Sequence, residues 1–297
     1  MTSRMRFWLV AVTACSTSAA PAVDPGWMAS IDDARSLADL SIPGTHESAA
    51  LYEPLAGTAK CQNLTLADQL AAGVRYFDIR CRDLSDAFAI FHGPIDEQQT
   101  FDDVLATMTD FLDAHPSETV IMSIKEESDA ESTTRSYEQT FVSYVDPDRW
   151  YLGDTVPALG DVRGKIVLLR RFAAASTPLG IDASGWADDT TFSIDNAASL
   201  RVQDAYQVSD DAAKWQAITA LLAEARAADG TTLYLDYTSG YQLHAGIPDT
   251  PSVADTINPQ LDGVLTDPAT AGARLGVLAM DFVDQTRAMR VASTNLP

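Results

Sequence analysis

A distorted or incomplete (β/α)8 barrel of the TIM type, folded as a single α/β domain, is the architecture this sequence predicts. Three observations lead there. Strand-like apolar runs recur along the chain, several bounded by Gly or Pro; helical patterns lie between many of them; and the ionisable residues of a run gather toward its C-terminal end. With 297 residues and 46% hydrophobic composition, the chain can bury one large core.

The N-terminus, MTSRMRFWLVAVTACSTSAAPA, has two arginines, a short apolar run and then small residues, the layout of a secretory signal over residues 1–22. Small residues near Ala20 to Ala22 suit ordinary cleavage, whereas Val12, Thr13, Ala14 and Cys15 resemble a lipobox that would lipidate Cys15; the residues allow both. Residues 23–297 form the barrel. Its first strand is read in LADLSI, followed by a Pro-Gly turn signal just ahead of His46. VRYFDIRC and AFAIFHG come next, separated by only a few polar residues, and then the helix FDDVLATMTDFLDAH, with Leu105, Met108, Phe111 and Leu112 on one face. ETVIMSIKE and GKIVLLRRF are further strands. Residues 173–198 look irregular, one reason to expect distortion. SLRVQDAY leads into the helix DDAAKWQAITALLAEARAA, with Trp215, Ile218, Leu221 and Leu222 along it. TTLYLDYTS, a long loop GYQLHAGIPDTPSVAD, and the final strand RLGVLAMDFV complete the chain.

Charge narrows the function. Lys plus Arg number 20 against 42 Asp plus Glu, a net charge of -22, which repels nucleic acid and gives no general attraction to anionic membranes. An anion bound here needs a local cluster of cations. Residues two apart on a strand share a face. Asp78 therefore sits with Arg80, Ser123 with Lys125 and Glu127, Leu169 with Arg171, Val202 with Asp204 and Tyr206, and Ala279 with Asp281. The C-terminal ends of barrel strands are where such folds build active sites. Arg80, Lys125 and Arg171 thus converge with Asp78, Asp204 and Asp281 on one polar mouth suited to an anion plus hydroxyl groups. His46 and His92 each follow a strand-like run and can serve as base and acid at that rim. His115 reads as a capping or solvated residue, and His244 lies in the long loop with no partner in view. Export would allow a disulfide between Cys61 and Cys81, closing a loop of about 20 residues worth roughly 3 kcal/mol. Two buried thiols are the alternative.

SIPGTHES, GVRYFDIRCR, FHGP, HPSETVIMSIKEE, DVRGKIVLLRRF, VQDAYQVS and VLAMDFV, in this order, resemble the bacterial phosphatidylinositol-specific phospholipases C over nearly the whole mature chain. The resemblance implies an irregular barrel and an intramolecular phosphoryl transfer that yields diacylglycerol and inositol 1,2-cyclic phosphate. It implies His46 as general base, Asp281 orienting it, and Arg80, beside Asp78, neutralising the phosphate oxygens. His92 becomes the acid, helped by Glu47. Lys125, Arg171, Asp204, Tyr206 and Glu127 match inositol-pocket positions. The implied partner is the phosphatidylinositol headgroup in membranes or micelles, met by a monomer in transient membrane contact, with no nucleic acid and no cofactor. Three departures stand out. Glu47 replaces the Asp of the best-known metal-independent members. Membrane-entering Trp residues have no counterpart, only Tyr241, Leu243, Ile247 and, earlier, Leu55. Arg80 stands where calcium-dependent relatives carry a metal ligand, which disfavours bound Ca2+, although Glu47 and Glu127 keep a calcium-dependent variant open. A non-catalytic headgroup binder is the reading from another class; a metal-dependent glycerophosphodiesterase ranks low because its early His-Arg-Gly type motif is missing.

Overall fold

The computed structural model describes residues 25–296; the signal read at residues 1–22, with Cys15, lies outside them. The strands are β1 (Ile42–Thr45), β2 (Tyr76–Leu84), β3 (Ala87–His92), β4 (Ile95–Thr100), β5 (Val120–Glu126), β6 (Trp150–Tyr151), β7 (Ile166–Arg171), β8 (Ile181–Asp182), β9 (Thr190–Asp195), β10 (Ser199–Asp204), β11 (Thr232–Tyr237), β12 (Gln242–His244), β13 (Ile247–Asp249) and β14 (Val277–Met280). Helices α1 (Leu66–Ala71), α2 (Phe101–Ala114), α3 (Tyr137–Val142), α4 (Leu159–Val162), α5 (Asp211–Ala227), α6 (Thr250–Thr266) and α7 (Gln285–Ser293) alternate with them. Side chains close the starts of all these helices except α4. Thr100 and Asp103 form a reciprocal capping box on α2, and Ser136 and Gln139 do the same for α3.

Parallel pairing runs β8-β7-β5-β2-β1-β14-β11-β10, the stave order of a barrel. Among the described residues no pairing joins β8 to β10; the antiparallel β9 lies along β10 instead, so the barrel is incomplete at that seam. Two apolar layers follow from strand alternation. Ile42, Tyr76, Ile121, Val167, Leu169, Leu200, Val202, Leu233, Leu235, Val277 and Ala279 fill the interior. Phe77, Ile79, Met122, Ile124, Leu168 and Leu278 face the helices. At about 1.5–3 kcal/mol per buried large apolar side chain, these layers dominate the folding free energy.

Four local readings are corrected. LADLSI begins as a 3-10 turn over Leu37–Asp39, and the strand runs instead through Ile42–Thr45, with Pro-Gly inside it. Proline is tolerated because β2 pairs with β1 only from Gly44 onward, beyond Pro43. AFAIFHG is not a stave: as β3 it folds back antiparallel on β2, then pairs with β4. The missing stave is β8, inside the stretch read as irregular. GYQLHAGIPDTPSVAD is not one loop; it holds the β12–β13 hairpin and the start of α6, whose N-cap is Asp249.

Cys61 and Cys81 are free, buried thiols, so the disulfide reading gives way to its alternative. Cys81 belongs to the helix-facing layer beside Tyr137, while Cys61 packs near Asp281 and Glu47.

Candidate active site

Eight side chains singled out from the sequence line a single cleft of about 440 Å3 at the C-terminal ends of the staves: His46, Arg80, His92, Lys125, Glu127, Arg171, Asp204 and Tyr206. Glu47, Asp78 and Asp281 are buried directly behind them. Strand alternation explains the convergence, since the inward positions of these staves are mostly apolar below the rim and charged at it.

His46 leaves the end of β1 with its backbone N–H on the Met280 carbonyl at 3.1 Å. Its Nδ1 meets Asp281 Oδ1 at 2.9 Å, and only 12% of the ring side chain is exposed. Gln62 Nε2 donates to the carbonyls of both His46 and Met280 at 2.8 Å, locking the two strand ends together. Asn258 Nδ2 donates to the Asp281 carbonyl at 3.0 Å. With Nδ1–H on a buried carboxylate, Nε2 is left as a lone pair facing the cleft.

Arg80 sits among three carboxylates. Its Nε and Nη2 donate to Asp78 Oδ2 at 3.1 and 3.0 Å, and Nη1 lies 2.6 Å from Glu47 Oε1 and 3.5 Å from Glu127 Oε2. Asp78 also meets Arg171 Nη1 at 3.3 Å. Burial alone would raise the Asp78 carboxyl, but Arg80 and Arg171 more than offset it and hold it below the usual range. Glu47 goes the other way: burial, with Glu127 nearby, pushes it up to about 8 despite the Arg80 guanidinium. Its backbone has φ 42°, a left-handed conformation costly for a non-glycine residue.

His92 comes from the end of β3, which with β4 forms an antiparallel flap folded back on β2. Its Nδ1 donates to the Ala59 carbonyl at 2.7 Å, and Nε2 lies 3.7 Å from Glu47 Oε1. Burial and then Arg80 lower its pKa. Glu127 joins flap to barrel by accepting from Gly93 N at 2.9 Å and Lys125 Nζ at 2.7 Å.

The opposite wall is aromatic and acidic. Trp186 donates Nε1 to Asp204 at 2.9 Å and carries the Arg171 guanidinium 3.8 Å above its ring. Tyr206 donates its hydroxyl to Asp188 at 2.8 Å. Tyr237, at the inward end of β11, hydrogen-bonds Tyr76 at 2.6 Å and stands edge-on to His46. Sequence reading missed Tyr237 and Trp186. The two-residue rule applied to TTLYLDYTS reaches Tyr237, whereas Trp186 lies in an irregular segment that no periodicity marks.

Of the remaining histidines, His115 caps α2 with its ring 4.6 Å from Phe111, as read. His244 does have a partner, Asp249, at 3.5 Å across the β12–β13 hairpin. His46, Cys61 and Asp281 place an N, an S and an O within 4.8 Å of one another, a donor set that zinc accepts. They do not fit a metal well here: burial and then Asp281 push the Cys61 thiol well up, and Asp281 already holds His46 directly.

Known proteins carry the same arrangement of chain. Residues 36–172 match the family described as phosphatidylinositol-specific phospholipase C, X domain. The 1-phosphatidylinositol phosphodiesterase of Staphylococcus aureus strain Newman is 33% identical over 279 residues, 88% of each chain. The enzyme of the same name from Listeria monocytogenes is 32% identical over 285 residues, 91% of this chain and 84% of that one. A solved structure of the S. aureus phosphatidylinositol-specific phospholipase C, from work on modulating its membrane binding, superposes with a TM-score of 0.81 at 29% identity, covering 91% of this chain and 97% of that one. The Listeria enzyme superposes at 0.74 with 26% identity over 92% and 99%. A shared fold and identity of this extent across almost the whole described chain lead to one conclusion: this protein belongs to the phosphatidylinositol-specific phospholipase C family.

Proposed function

We propose that this protein is a phosphatidylinositol-specific phospholipase C that cleaves phosphatidylinositol into diacylglycerol and inositol 1,2-cyclic phosphate without a metal ion. The observation that carries the reading is the row His46, Arg80, His92 along one cleft, with Asp281 behind the first histidine. His46 Nε2 takes the proton of the inositol 2-hydroxyl, and Asp281 stabilises the imidazolium that results. The freed oxygen attacks the adjacent phosphorus, an intramolecular step that needs no external nucleophile. Arg80 neutralises the charge that develops on the non-bridging oxygens. The bond from phosphorus to the glycerol oxygen breaks, and that oxygen takes a proton from the His92 end of the cleft. Because His92 Nδ1–H is fixed on the Ala59 carbonyl, a neutral ring has no proton on Nε2. Glu47, pushed up to about 8, keeps a proton available beside it. Lys125, Arg171, Asp204, Tyr206 and Glu127 then supply donors and acceptors to the inositol hydroxyls.

Metal independence rests on Arg80: its guanidinium already engages Asp78, Glu47 and Glu127, the carboxylates a cation would use. Phosphorus NMR of phosphatidylinositol cleavage in EDTA tests both parts. Appearance of inositol 1,2-cyclic phosphate is expected; activity that requires added Ca2+ would refute the metal-free assignment, and no product with retained myo-inositol binding would favour the non-catalytic reading.

Contact with the lipid surface is supported by exposed apolar side chains on two loops at the cleft rim: Leu55 after β1, and Leu243 and Ile247 on the β12–β13 hairpin. Thr250 ties these loops together through the carbonyls of Gly57 and Lys60. Secretion is proposed from the N-terminal layout; mass spectrometry of the exported protein separates cleavage near Ala22 from lipidation of Cys15, and an uncleaved cytoplasmic chain would refute it.

A further inference from the structure

We propose that Lys214, on the helix side of the barrel and outside the cleft, is a positioning residue that holds the two strand ends forming the inositol wall. Lys214 is only 3% exposed. Its Nζ donates to the Tyr237 carbonyl at 2.6 Å, the Ala205 carbonyl at 2.8 Å and Gln203 Oε1 at 3.2 Å. The position is an unfavourable one for a cation. It is buried, and it lies near the N-terminal end of α5, where the helix dipole opposes positive charge.

What the ammonium does there follows from the ladder. Pairing between β10 and β11 ends at Gln203 opposite Asp236. Beyond that point the strands lead to the cleft wall: Asp204 at the end of β10 and Tyr206 just after it line the cleft, and Tyr237 at the end of β11 is buried behind it, edge-on to His46. Lys214 bridges the gap, gripping the carbonyl between Asp204 and Tyr206 on one side and that of Tyr237 on the other. Gln203 completes the tie, with Nε2 donating to Asp236 Oδ1 and the Tyr237 carbonyl and Oε1 accepting from Ala205 N. The amine thus acts through Asp204, Tyr206 and Tyr237 without touching the ligand.

Three oxygens need three N–H donors, which only the protonated amine supplies. Asp204, Asp236, Asp281 and Asp189 face it and favour the charge, while burial lowers its pKa from 10.5 to about 8. Above that pH one oxygen loses its donor and the wall loosens.

This inference rests on the reading of the cleft as an inositol-phosphate site, so the wild-type protein is assayed first for phosphatidylinositol cleavage and for inhibition by myo-inositol. Absence of both overturns that reading and this inference with it. Given an active wild type, Lys214→Met is expected to raise KM and the myo-inositol inhibition constant about tenfold while kcat stays within about threefold, the signature of lost ground-state positioning. Lys214→Arg, which keeps three donors, is expected to restore KM to within about threefold. Myo-inositol inhibition should weaken between pH 7 and 9.5 in the wild type and hold steadier in Lys214→Arg; this comparison stands even if Lys214→Met does not fold. Unchanged KM in folded Lys214→Met, or identical pH profiles in wild type and Lys214→Arg, would overturn the proposal.

Discussion

Arg80 and its carboxylates set opposite expectations at neighbouring residues. Asp78 is fully buried between Arg80 and Arg171, so its loss would leave two guanidinium groups without their shared counter-charge. Asp78→Asn is expected to cost about 3–5 kcal/mol, the usual penalty for breaking a buried pair, read as a lowered midpoint in thermal unfolding. An unchanged midpoint would show that the pair carries no structural weight. Glu47 is the reverse case. Its folded pKa of about 8 stands above the ordinary 4.5, so the folded state binds the extra proton across that window. The stability this contributes is complete below about pH 4.5 and is lost as pH rises through about 8. Unfolding midpoints of the wild type are therefore expected to fall relative to Glu47→Gln between pH 5 and 8. Turnover should decline above about pH 8 in the wild type as Glu47 ionises. Glu47→Gln, unable to pass a proton, should lose roughly 10²-fold or more below about pH 8, the gap to wild type narrowing above it. Parallel midpoint curves, or full activity in the variant, would remove Glu47 from the acid role.

Elements meet tightly where β1 passes β2. A Cβ on Gly44 would lie 2.9 Å from Tyr76 Cβ and Cδ1 and 3.2 Å from the Leu278 carbonyl. Tyr76 is itself bonded to Tyr237, so it has no room to withdraw without disturbing the cleft wall. Gly44→Ala is expected to cost about 1–3 kcal/mol by overpacking, with each kcal/mol lowering the midpoint by about 2–4 °C. Calorimetry showing a midpoint equal to wild type would contradict the close approach. The same Pro-Gly pair shows why part of the fold was legible and part was not. Long apolar runs such as VIMSIKEE and IVLLRRF declare both strand and facing, and their inward polar residues reach the cleft as the two-residue rule requires. Pro-Gly carries a turn propensity that tertiary contact overrides, because the missing N–H faces no partner and the missing Cβ is what lets two staves approach. Stave β8 is two residues long and has no periodicity to detect. Helix α6 begins inside a Gly, Pro and Asp-rich segment because Asp249 caps it and Pro251 suits its first turn, features that also occur in loops. His92 was correctly placed at the rim although AFAIFHG is a flap strand and not a stave: the antiparallel return from β2 delivers it to the same end of the barrel.

For the whole molecule, a net charge of -22 must be reconciled with a substrate embedded in a lipid surface. Three cations, Arg80, Lys125 and Arg171, line the cleft and can meet a single headgroup, while the net negative charge of the chain repels an anionic bilayer. Attachment therefore falls to the rim, where Leu55, Leu243 and Ile247 are 58%, 57% and 48% exposed. Repulsion between exposed charges is screened over about 8 Å at physiological salt and about 3 Å at 1 M, whereas apolar contact is not weakened by salt. Binding to phosphatidylcholine vesicles is thus expected to exceed binding to vesicles enriched in an anionic lipid other than the substrate, and added salt should narrow the difference by raising the anionic arm. Leu243→Ala combined with Ile247→Ala should weaken attachment to both kinds of vesicle, while leaving cleavage of a short-chain soluble phosphatidylinositol close to wild type, because neither side chain lines the cleft. Co-sedimentation and the soluble-substrate assay read the two outcomes separately. Tighter binding to anionic vesicles that salt abolishes would place attachment on cationic side chains instead of the apolar rim.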